Sequence, residues 1–87
     1  MPQYLVRVRL QDRPGALGAV ASRIGAVGGD IVAIHIVERA RGEAIDEFVV
    51  VLARDDVLDL LRDEIHEVDG ASVEAVRVLH ADEGETP

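Results

Sequence analysis

The 87-residue chain carries 17 acidic residues against 9 basic ones, for a formal charge of −8, and contains no cysteine. That balance disfavours nucleic acid and anionic membrane as partners, because both require a cationic footprint. The absence of cysteine removes disulfides, thiolate metal sites and thiol nucleophiles, and suits a reducing compartment.

This length gives room for one domain with one modest core. The apolar share of 48% is nearly all Val, Ile, Leu and Ala, with Tyr4 and Phe48 as the aromatic residues. Such a core favours packed sheets and helices over stacking surfaces. No signal-peptide pattern precedes Tyr4, and no window approaches the ~18 uninterrupted apolar residues of a membrane span. On these grounds the chain reads as cytoplasmic.

Tyr4, Val6, Val8 and Leu10 alternate with Leu5, Arg7 and Arg9, the two-residue period of a strand with one wetter face. Pro14 suits the first turn of a helix, where the amide hydrogen it lacks has no partner in any case. Leu17, Val20, Ala21, Ile24 and Val27 then follow at helical spacing, which predicts an amphipathic helix over about 15–27. Gly28-Gly29 stops it. From Ile31 to Val37 the chain is almost continuously β-branched, which predicts a second strand with both faces largely covered. The polar stretch 38–43 reads as a hairpin connection, and Phe48 to Leu52 as a third strand pairing antiparallel with the second. Asp55 is placed to cap a second helix whose stripe is Val57, Leu58, Leu61, Ile65 and Val68. Val73 to Leu79 forms a fourth strand. Residues 1–81 thus make a single domain, and 82–87 an acidic tail expected to be disordered.

The order β-α-β-β-α-β, with one apolar stripe per helix, predicts an α+β, ferredoxin-like plait: an antiparallel four-stranded sheet with both helices on one face. RNA-binding versions of this plait need base-stacking aromatics on the central strands and positive charge; this chain offers one aromatic per strand and the opposite charge. His35, His66 and His80 are too widely spaced for a sequence-local metal motif. Ser22, Ser72 and Thr86 are the only alcohols besides Tyr4, and no histidine lies near Ser22 or Ser72 in sequence, so no catalytic motif is recognisable. The acidic run Asp55, Asp56, Asp59, Asp63, Glu64, Glu67 and Asp69 avoids the apolar stripe and reads as a solvated helix face.

The turn Asp12-Arg13-Pro14-Gly15-Ala16-Leu17, followed after one helix by Gly28-Gly29-Asp30-Ile31-Val32, resembles the ACT domain family over roughly residues 4–80. The family comprises regulatory modules found on amino-acid metabolic enzymes and as free-standing proteins. The resemblance implies a non-catalytic homodimer, or a dimer of dimers, with an amino acid bound at the subunit interface and no cofactor or metal. Carried over by position, the ligand-facing residues are Asp12, Arg13, Pro14, Gly15, Ala16 and Leu17, with Asp30, Ile31 and Val32 of the neighbouring subunit opposite them. Serine-sensing members carry amides where this chain has Asp12 and Asp30, so the two carboxylates favour a ligand with a free amino group. Read from the residues alone, Asp12 equally suits a turn or a helix cap, and Asp30 a turn. The alternative function is a ligand-free dimer that passes its shape to an unidentified partner protein.

Overall fold

The computed structural model describes residues 1–80, so the expected tail at 82–87 lies outside the described residues. The elements are β1 (Gln3–Gln11), α1 (Ala16–Ala26), β2 (Asp30–Ala40), β3 (Glu43–Val51), a 3-10 turn (Asp55–Val57), α2 (Leu58–His66) and β4 (Ser72–His80). This is the order expected from the sequence. All neighbouring strands are antiparallel, in the order β2-β3-β1-β4.

Tyr4, Val6, Val8 and Leu10 of β1 and Ala44, Phe48 and Val50 of β3 point to one side of the sheet and are buried beneath the helices. Helix α1 contributes Ala16, Val20 and Ile24, and α2 contributes Leu61 and Ile65. Phe48, fully buried, is the largest of the side chains sealed in this core. The Tyr4 hydroxyl donates a hydrogen bond to Asp55. Burial first, and then that carboxylate, push the phenol's pKa up to about 12.

Four features differ from the sequence reading. Strand β2 is not covered: as the outer strand it is exposed along most of its length, because the helices lie over the central strands. Leu17 is 36% exposed; Ala16, Val20 and Ile24, spaced by four, define the inner face of α1, and Leu17 is rotated about 100° from Ala16. Asp55 does not cap α2: no side chain caps the 3-10 turn or the helix, and the Asp55 carboxylate is bonded to Tyr4. The β2–β3 hairpin is tighter than expected, with both strands running on to a two-residue turn at Arg41-Gly42, where φ is +58° and +80°. Both turn residues sit in the left-handed region that matches the twist of paired strands. In consequence β3 begins at Glu43, and the expected connection is mostly strand.

Candidate functional site

The loop between β1 and α1 is held at the hairpin end of the sheet. The amide of Asp12 donates to the carbonyl of Gly42 at 2.9 Å, and the Arg13 side chain folds back to donate to Gln11 Oε1 at 2.7 Å. Gly15 precedes α1 with φ +87°, in the left-handed region that favours glycine. A methyl group added there would meet nothing within 4 Å, so the space beside the helix start is open. The first turn of α1 has no side-chain cap and no acidic residue. The Ala16 amide donates to the Arg13 carbonyl at 3.2 Å, so the positive end of the helix, which favours an anion, is presented by the amides of Leu17 and Gly18. Pro14 and Leu17 are exposed on this loop, whereas the Ala16 side chain belongs to the core.

Arg39, near the end of β2, reaches over to Asp12 with two parallel hydrogen bonds, Nε to Oδ2 at 3.2 Å and Nη2 to Oδ1 at 3.1 Å. This fork-on-carboxylate geometry fixes orientation better than a single contact does. Asp46 on β3 lies on the same, helix-facing side, opposite Val8 of β1 and Ile36 of β2. It is 3% exposed, and its buried Oδ1 has no hydrogen-bond partner among the described residues. Burial raises the pKa of this carboxyl, repulsion from Asp12 adds to the rise, and Arg39 acts in the other direction.

Asp30, Ile31 and Val32 lie elsewhere. Asp30 pairs with Val51, which pairs with Gln3, whereas Asp12 follows Gln11, which pairs with Glu43 and through it with Ala40. The two carboxylates are thus separated by the length of β2, roughly 30 Å at the rise of an extended strand. Within one chain the loop residues are brought together, and the start of β2 is not brought to them.

The other face of the sheet carries cross-strand ion pairs: Arg7 with Glu47 at 3.4 Å, and Arg9 with both Glu43 at 2.9 Å and Glu74 at 2.6 Å. A depression of about 440 Å³ there is lined by Arg9, Glu38, Ala40, Arg41, Glu43 and Ile45. Its charges are of mixed sign, and it is separated from the α1 loop by the thickness of the sheet.

Sequence reasoning missed Arg39 and Asp46. The signal for Asp46 was present, since extending the alternation of Phe48 and Val50 back two residues places Asp46 among the inward positions. Arg39 leaves no such mark, because its pairing with Asp12 depends on the tight hairpin.

Element order, sheet order and a glycine-led turn into α1 together define an α+β, ferredoxin-like plait. The family model of the ACT domain matches residues 4–70, and the chain belongs to the ACT domain family. That makes it, in kind, a regulatory small-molecule-binding module. Among solved structures it is similar to the ACT domain of GTP pyrophosphokinase from Chlorobium tepidum, at 20% identity and a TM-score of 0.67 over 91% of this chain and 100% of that one. It is also similar to an ACT domain protein from Streptococcus pneumoniae (16% identity, TM-score 0.67, 88% and 89% covered). An uncharacterised protein from Thermotoga maritima matches at 19% identity and a TM-score of 0.65, over 90% and 96% of the two chains. At such identities the likeness establishes the fold. No curated protein matches the sequence. Among the described residues no helix is long and apolar enough to cross a membrane.

Proposed function

We propose that the chain binds a free amino acid between two copies of itself and acts as a non-catalytic regulator through the arrangement of that homodimer. The observation that carries this reading is the open edge of β2. Its outward hydrogen-bonding groups are unpaired by the sheet, and Val32, Ile34, Ile36 and Val37 are exposed on it, Val32 by 53% and Ile36 by 58%. Exposed apolar edges invite strand pairing, and natural proteins pair or cover them.

Antiparallel pairing of β2 with its own copy, about a twofold axis near His35, sets position 30 of one strand beside position 40 of the other. The partner subunit's Asp30, Ile31 and Val32 then face Asp12, Arg13, Pro14, Gly15, Ala16 and Leu17. A ligand carboxylate fits the uncapped start of α1, where Gly15 leaves the approach clear. Carboxylates on both sides suit an ammonium, and the partner's Ile31 and Val32 offer apolar surface for a side chain. The ligand acts by linkage: it favours one arrangement of the two subunits, and a partner protein reads that arrangement.

Light scattering at micromolar concentration, together with thermal melting against the twenty standard amino acids, tests this reading. A mass of two chains is expected. At 100 times its dissociation constant, a ligand specific to the folded dimer adds about 2.7 kcal/mol, a shift of roughly 11–22 °C for a domain of this size. A monomer refutes the dimer. A dimer whose melting no amino acid moves favours the ligand-free interaction module instead.

A further inference from the structure

Asp46 is unexplained by the loop and the strand edge alone. It stands on the buried side of β3 between Ala44 and Phe48, and its Oδ1 is shielded without a donor. Buried carboxylates in native proteins are normally paired. An unpaired one weakens the fold, and such violations concentrate at functional sites.

Two charged neighbours act on Asp46 electrostatically, Asp12 and Arg39. The Arg39 guanidinium already spends Nε and Nη2 on Asp12. With both carboxylates ionised the three groups together carry a net charge of −1, which an added cation would neutralise. They share the hairpin end of the sheet, on its helix side, with the open start of α1. The neighbour of Asp46 on the outer strand is Ile36, more than half exposed, so Asp46 stands one strand in from the open edge where the ligand is placed.

We infer that Asp46 is a ligand-binding residue of this site, its carboxylate receiving the α-ammonium of the amino acid while Arg39 holds Asp12 in place beside it; the inference rests on the amino-acid reading above. An ammonium has three donors and one positive charge. It brings a donor to the carboxylate and neutralises the cluster in one step, where a neutral hydroxyl brings a donor without the charge. The ligand's discrimination against α-hydroxy acids therefore resides in a strand residue outside the loop.

The test titrates the full chain and its Asp46→Asn variant with the twenty amino acids, and each binder is repeated as its α-hydroxy acid analogue. Losing a charged hydrogen bond is expected to weaken the amino acid about 10- to 100-fold in the variant, and the hydroxy acid by a distinctly smaller factor, because its hydroxyl donates without a charge. In the wild-type chain, the carbon resonance of the Asp46 carboxyl is expected to shift on adding the amino acid, a readout that does not depend on any variant folding. Equal binding of the amino acid by wild type and variant overturns the role of Asp46 and leaves the amino-acid site standing. Equal weakening of both ligand types reduces Asp46 to a structural residue and overturns the inference. Binding of none of the twenty to the wild type overturns both readings.

Discussion

Replacing Asp46 by Asn is expected to make the unliganded protein more stable at neutral pH. The carboxyl is 3% exposed with one oxygen unpaired. Burial and then Asp12 raise its pKa above the ordinary 3.8 against the opposing pull of Arg39. A carboxyl with a raised pKa holds its proton more tightly in the folded chain than in the unfolded one. Its contribution is therefore fully present below pH 3.8, falls as pH rises through the raised folded value, and is flat above it. The asparagine amide keeps the shape and removes the charge. Because an unsatisfied buried polar atom costs about 1–3 kcal/mol and Asn retains part of that cost, a gain of about 1 kcal/mol is expected. This corresponds to about 4–8 °C in melting temperature for a domain of this size. Urea unfolding followed by circular dichroism, from pH 3.5 to 8 at constant ionic strength, gives the difference between variant and wild type. That difference cancels the other carboxylates, which are common to both proteins. It should rise with pH from near zero to a plateau; a flat difference, or one that falls with pH, refutes the account of Asp46 as an unpaired buried acid.

Phe48→Ala should remove about 3–5 kcal/mol, since the ring is fully buried between the sheet and the helices. Set against a total of about 5–15 kcal/mol, this leaves little cooperative unfolding to observe, and a midpoint in urea close to that of wild type contradicts the assigned core. Gly15→Ala meets no atom within 4 Å but must hold φ at +87°, so a loss of about 1–2 kcal/mol from backbone strain alone is expected in thermal melts. An unchanged melting temperature shows that the loop does not need that conformation. Ile36→Asp places a charge at a position 58% exposed in the single chain. The circular dichroism spectrum should persist while sedimentation shows the mass falling from two chains to one, and an intact dimer rules out β2 as the seam.

The parts of the fold legible in the sequence were those in which local pattern and tertiary burial agree. The alternation from Tyr4 to Leu10 survives unchanged because β1 is a central strand with one face under the helices. The run from Ile31 to Val37 misled for a physical reason: continuous β-branched residues mark a strand covered on both faces, and the described residues leave β2 without that cover, which the proposed pairing would supply. The β3 boundary was obscured by Glu43, Asp46 and Glu47, whose charge resembles a loop when read in order. Glu43 and Glu47 lie on the charged face of the sheet and Asp46 on the other. Whether Asp12 and Asp30 share a pocket could not be read from spacing along the chain. The register of β2 sets them at opposite ends of one strand, so any meeting between them involves two molecules.

The sheet has two unlike edges, β2 on one side and β4 on the other. A contact of β2 with β4 of the next molecule leaves one edge of each kind free and extends without limit into a fibre, whereas β2 against β2 consumes the apolar edge of both molecules in a single event. Four exposed Val and Ile side chains lie on β2, against Val78 and Leu79 on β4, so under the proposed β2–β2 pairing assembly would stop at a closed particle of defined size.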